Sequence, residues 1–209
     1  MIKRFIPLGF LLIALTCSAQ KMGELFKTMP QHVLPGFSEA DKIMLLVDTA
    51  LTSIPYPLGN IERINYTDDF LKIRTSSRGN LQIKLLPLIN NTKIVCVVKT
   101  VCGQACDSQI QFYSTEWNPI ESEPLLPHLS AEMFFDRSQK NNIDFEKALR
   151  LIDMEPIKAE FKGGSDDLTL ILDYESYVSA ENVELIKSFI KQDSITLRWN
   201  KTSFQNEFY

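Results

Sequence analysis

Residues Lys93 to Trp117 read KIVCVVKTVCGQACDSQIQFYSTEW, and the fold turns on how this stretch divides. From Ile94 to Val101 nearly every residue is apolar and β-branched: Ile94, Val95, Val97, Val98 and Val101, with Cys96 among them. A run that is apolar on both faces fits a strand buried on both sides. Gln109 to Thr115 alternates instead. Ile110 and Phe112 share one face and Gln109, Gln111 and Tyr113 the other, as in a half-exposed strand. Between the two lies Cys102-Gly-Gln-Ala-Cys106, where Gly103 can supply the positive φ of a tight reversal. Pairing of the strands sets Cys102 and Cys106 on either side of the turn, at a spacing a disulfide can close. The expectation is a structural staple. The rival is a redox or metal pair, but C-x3-C lacks the two-residue spacing of a thioredoxin-type motif and has no histidine nearby.

Upstream, Leu81, Ile83 and Leu85 alternate with Gln82 and Lys84 up to Pro87. Ile61 to Tyr66 and Phe70 to Thr75 bracket Thr67-Asp68-Asp69, and Ser76 to Asn80 is a turn by composition. Short strands joined by short turns predict an antiparallel meander. Two helices precede it. One carries Met22, Leu25, Phe26 and Met29 on one face; the other is capped by Ser38 and runs to about Ser53, with Ile43, Met44, Leu46 and Val47 as its apolar periodic residues. Downstream, residues 121–141 form a proline-containing crossover that is too apolar to be disordered, with a short helical candidate over Ser130–Phe135. A smaller unit follows: a helix capped by Asp144, a hairpin turning at Gly163 to Asp167, a helix capped by Ser179, and a closing strand from Ile195 to Trp199. The fold class is therefore α+β, an N-terminal helix pair on an antiparallel β-meander followed by a helix–hairpin–helix–strand unit. The divisions fall at 1–19, 20–120, 121–141 and 142–209, the last sharing one core with residues 20–120.

The first 19 residues have the grammar of a secretory signal peptide. Lys3 and Arg4 precede an apolar run from Phe5 to Leu15, and Thr16-Cys17-Ser18-Ala19 supplies the small-residue end. The run is too short to span a bilayer, so no membrane span is expected in the mature chain. Lipidation at Cys17 is the alternative, although Ala14-Leu15-Thr16 is a poor lipobox. Removing Lys3 and Arg4 leaves 20 basic against 26 acidic residues, a net charge of −6. That balance argues against a nucleic-acid partner and against attachment to anionic lipid. Export, to the periplasm or beyond, places Cys96, Cys102 and Cys106 in an oxidising compartment and leaves Cys96 as the buried free thiol.

Chemistry is sparsely marked. Of the two histidines, His32 and His128, neither has a cysteine or carboxylate at ligand spacing. No G-x-S-x-G, H-E-x-x-H, P-loop or dinucleotide fingerprint is present, so no catalytic residue, cofactor or metal is expected. Asp68, Asp69, Asp166 and Asp167 are candidate ligand or metal contacts, although adjacent acids at turns are usually solvated. Trp117 is a candidate platform for a sugar or aromatic ligand. Asp48-Thr49-Ala50 matches a short O-glycosylation pattern of exported proteins.

The segments MGELFKTMPQHVLP, LLVD, TDDFLKIR, LQIKLLP, KTVCGQACDSQIQFYSTEWNP, SAENVELIK and ITLRWN, in that order, cover most of residues 22–200. In this the chain resembles a domain-of-unknown-function family of exported proteins from anaerobic Gram-negative gut and oral bacteria. The resemblance implies export and the central hairpin, with no activity, cofactor or catalytic residue to carry over. The functional expectation is a non-catalytic exported protein that binds an envelope protein or glycan. The alternatives are a carboxylate-based secreted hydrolase and a thiol-redox protein using Cys102 and Cys106.

Overall fold

The computed structural model describes residues 21–47, 53–57 and 59–206. The signal-peptide segment, Cys17 and Asp48-Thr49-Ala50 lie outside the described residues.

Seven strands follow one another in space in their order along the chain, each antiparallel to the next. They are β1 (Ser53–Tyr56), β2 (Gly59–Tyr66), β3 (Phe70–Arg74), β4 (Gly79–Pro87), β5 (Lys93–Cys102), β6 (Cys106–Tyr113) and β7 (Pro119–Ile120). This is the expected meander, lengthened at both edges. Cys102 pairs with Cys106 across the β5–β6 turn and the two are disulfide-bonded. Gly103 does not take the positive φ expected of it. The three-residue loop closes instead with the Gly103 N–H donating to the Ala105 carbonyl, 2.8 Å away.

Helices α1 (Met22–Lys27) and α2 (Glu39–Leu46) cover one face of this sheet. Met22, Leu25, Phe26, Met29 and Phe37 pack there on Ile61, Leu71, Ile73, Leu81, Ile83, Leu85, Val95 and Val97. A capping box starts α2: the Ser38 hydroxyl accepts from the Asp41 N–H, and the Asp41 carboxylate accepts from the Ser38 N–H. The helix is turned away from the orientation its apolar pattern suggests. Leu45 and Lys42 are its buried residues, while Ile43, Met44 and Val47 are half exposed. The reason is Lys42, whose ammonium donates to the carbonyls of Lys27 and Met29 and so closes the C-terminal end of α1. That bond fixes the rotation of α2.

The other face carries a second, four-stranded sheet, in the order β11 (Phe204–Asn206), β10 (Ser194–Trp199), β9 (Leu168–Leu172) and β8 (Ile157–Phe161). Helices α3 (Ile143–Arg150) and α4 (Ala180–Lys187) complete this core through Phe145, Ala148, Val183 and Ile186. Asn142, rather than Asp144, caps α3: its carbonyl oxygen accepts from the Asp144 N–H at 3.0 Å. The crossover contributes a 3-10 turn over Ala131–Phe134 and packs Leu125, Leu126 and Leu129 against the same core. Among the described residues no helix is long and apolar enough to cross a membrane.

The second sheet buries the face of β4 that carries Gln82 and Lys84. Gln82 and Lys84 point away from the helices, yet each is only 1% exposed. Strand β8 lies over them with one edge unpaired. Side chains of the first sheet satisfy that edge. The Gln82 amide accepts from the Phe161 N–H at 3.0 Å and donates to the Ala159 carbonyl at 3.4 Å. The Ser108 hydroxyl accepts from the Ala159 N–H at 2.9 Å, and the Asp107 carboxylate from the Ile157 N–H at 3.3 Å. An unpaired buried backbone group costs about as much as a lost hydrogen bond, so these bonds are what let a sheet edge rest against another sheet.

Two outcomes follow from this packing. Gln82→Leu keeps the volume but strips both partners from β8, and should lower unfolding stability by about 2–4 kcal/mol in urea titration, with the cooperativity retained. Replacing Cys102 and Cys106 together by serine opens a five-residue loop and should lower it by about 2 kcal/mol on the chain-entropy model.

Candidate functional site

The four turn aspartates lie in two pairs along the sequence, Asp68-Asp69 and Asp166-Asp167. Two of the four converge on one cation. The Lys84 ammonium, buried between the sheets, sits 2.7 Å from the Asp69 carboxylate and 3.0 Å from that of Asp166. Asp69 comes from the β2–β3 turn and Asp166 from the β8–β9 turn, so one lysine clasps a turn from each sheet. Burial pushes the Asp69 carboxyl up, and is the largest single influence on it. The hydrogen bonds from Lys84 and Thr67 and the Lys84 charge together outweigh burial and hold the carboxyl below its ordinary range. Asp68 faces solvent and pairs with Lys21 at 3.4 Å. Asp167 stays in its turn, its N–H donating to the Ser165 hydroxyl. Among the described residues no group of three or more His, Cys, Asp or Glu side chains is placed to hold a metal ion. Cys96, fully buried between the sheets, has its thiol driven upward by desolvation alone, which removes it from thiolate chemistry.

Trp117 is built into a different place. It is 7% exposed, so it is no open stacking platform. Its indole N–H donates to the Leu25 carbonyl at 3.2 Å and approaches the Thr28 hydroxyl at 3.3 Å, which pins α1 to the β6–β7 turn. Its φ is 65°, a left-handed backbone that bulky residues rarely adopt. The turn enforces it: the Trp117 N–H reaches the Ser114 carbonyl at 3.0 Å, and the Ser114 N–H reaches the Asn118 carbonyl at 2.8 Å. Backbone held in such a region is stored strain, which concentrates at functional sites.

Beside this strained turn is an open cleft of about 460 Å³, lined by Thr28, Pro30 and His32 on one side and Thr115, Glu116 and Trp117 on the other. Hydrogen bonds and ring contacts brace both walls. Lys42 and Trp117 hold the chain around Thr28 through the bonds already described. His32 packs against Tyr113, which packs against Trp117, at centroid separations of 6.0 and 5.6 Å. The Thr115 hydroxyl donates to one Glu116 oxygen and the Ser114 hydroxyl to the other, each at 2.9 Å. Those two bonds, the Thr115 one first, hold the Glu116 carboxyl below its ordinary range. The cleft therefore presents an ionised, oriented acceptor beside an imidazole, with proline and indole as apolar walls. Neither His32 nor Glu116 stands out in the sequence. The available signal was weak: a histidine in a proline-bounded loop, and Ser114-Thr115-Glu116, three residues prone to bond one another at a turn.

Residues 14–204 match the model of a family described as a protein of unknown function, DUF3256. The chain belongs to that family. No curated protein matches it. Among solved structures, a domain of an uncharacterized protein from Porphyromonas gingivalis W83 superposes with a TM-score of 0.79 at 21% identity, covering 91% of this chain and all of that one. At that identity the likeness establishes the fold alone.

The Lys84 clasp has a pH signature. Because the folded-state pKa of Asp69 is lowered, its contribution to stability is present above the ordinary aspartate pKa and is lost as the pH falls through the lower, folded-state value. Asp69→Asn should therefore destabilise the protein at pH 7 and flatten the acid limb of stability against pH, read by urea unfolding from about pH 2 to 7.

Proposed function

We infer that this protein is an exported, non-catalytic binding module of the cell envelope, whose partner is an envelope protein or glycan. Export rests on the signal-peptide grammar of residues 1–19, and the partner surface on the Thr28–Trp117 cleft. One observation carries the non-catalytic reading. The two turn carboxylates that meet, Asp69 and Asp166, meet on the Lys84 ammonium, and each is engaged in an ion pair there. A general acid working near neutral pH needs a carboxyl raised toward that pH. Each carboxyl whose ionisation the described structure clearly shifts, namely Asp41, Asp69, Glu116 and Asp136, moves the other way.

Purified protein incubated with envelope polysaccharides, peptidoglycan and dietary glycans should release no reducing ends or free amines above buffer. Turnover that is abolished by Asp69→Asn or Asp166→Asn would replace this reading with the hydrolase. Expressed with residues 1–19 in a Gram-negative host, the chain should fractionate with the envelope or periplasm and lack its leader by mass spectrometry.

A further inference from the structure

The chemistry of the cleft narrows the ligand, a step that rests on the binding reading above. Its polar groups are largely committed. Thr28 donates to the Leu25 carbonyl and lies against the Trp117 indole N–H, and Thr115 donates to Glu116. What remains are the further lone pairs of the Glu116 carboxylate, the imidazole of His32, and the apolar surface of Pro30. A carboxylate accepts hydrogen bonds, whereas an imidazole donates through a ring N–H. A ligand meeting both needs groups that can donate and accept, together with a C–H face for the proline wall. A hydroxyl does both, and vicinal hydroxyls on a ring supply them side by side. A phosphate or carboxylate is disfavoured by Glu116. The indole N–H is already bonded within the protein and the ring is buried, so Trp117 serves as a reporter at the cleft and not as a stacking surface.

We propose that the Thr28–Trp117 cleft binds a neutral saccharide of an envelope glycan, with Glu116 and His32 hydrogen-bonding ring hydroxyls and Pro30 contacting its C–H face. The cleft is open at the surface, and the Ser114 and Thr115 hydroxyls already orient the Glu116 carboxylate at its rim. The strained turn that carries Trp117 is what sets Glu116 at the rim. A relaxed turn there would release both the indole anchor and the carboxylate.

The test uses the two indole N–H resonances of the 15N-labelled protein, since Trp117 and Trp199 are its only tryptophans. Chitotriose, cellotetraose, mannotriose and maltotriose are titrated up to about 10 mM, with a neutral hexapeptide as the contrasting ligand. At least one saccharide should move the Trp117 resonance to saturation while Trp199, which is bonded to the Pro87 carbonyl elsewhere, stays put. Trp117 itself is an anchor of the fold, so the variants are His32→Ala and Glu116→Gln, both at exposed positions. Each should weaken the saccharide by about tenfold without changing spectral dispersion. The proposal is overturned if no saccharide shifts Trp117, if the shifts survive both variants unchanged, or if the hexapeptide saturates the cleft and the saccharides do not. Those results leave the non-catalytic reading standing, whereas hydrolysis of a polymer removes that reading and leaves the cleft assignment to its own titration.

Discussion

The structure depends on how two sheets meet without leaving backbone stranded between them. A sheet face is ordinarily covered by helices or by the face of another sheet, because side chains then meet side chains. Here β8 brings a raw edge to the face of the meander, and Gln82 answers it with both ends of one amide. Asp107 and Ser108 serve the next positions along the same edge. The apolar core between the sheets, with Phe70, Leu86, Cys96, Val98 and Phe112 on one side and Phe161, Leu168 and Leu170 on the other, can close only because that edge has been satisfied.

Electrostatics repeat the pattern at the end of the contact. A buried ammonium with no partner would be expensive, and Lys84 has two, each keeping part of its surface in water. The pairing serves location more than strength: it fixes the β8–β9 turn over the β2–β3 turn and so sets how the second sheet lies on the first. The cleft lies on the other face of the meander, away from the second sheet. It is made by α1, the loop after it and the β6–β7 turn, joined by the Trp117 indole across 92 residues of sequence.

Much of the architecture was legible in the residues. The unbroken apolar run of β5, the alternation of β4 and β6, and the Ser38 capping box with Asp41 are local patterns, and local patterns survive folding. What escaped was short or non-local. Strand β1 contains Pro55, and β7 and β11 have two and three residues, too few to show a period. Gln82 and Lys84 have the alternation of a solvated face, and no pattern distinguishes water from a second sheet that offers backbone partners. The same holds for the ion cluster, whose acids look like ordinary turn residues until a lysine from another strand is set between them. At the cleft, Trp117 was visible as a residue of interest, but its backbone strain and the partnership with His32 and Glu116 arise only when two distant loops meet.

The sealing of β8 also constrains the order of assembly. Its partners in the Gln82 bonds lie 77 and 79 residues earlier in the chain, and those from Asp107 and Ser108 lie 50 and 51 residues earlier. Emerging N-terminus first, the chain therefore presents the meander, with its near-neighbour pairings, before the strand that needs it. The second hairpin emerges with an adhesive flank, the kind that templates aggregation, onto a surface already equipped to cover it. Circular permutation that placed residues 142–206 first would reverse that sequence of events, exposing the flank for the whole time the cover is being made.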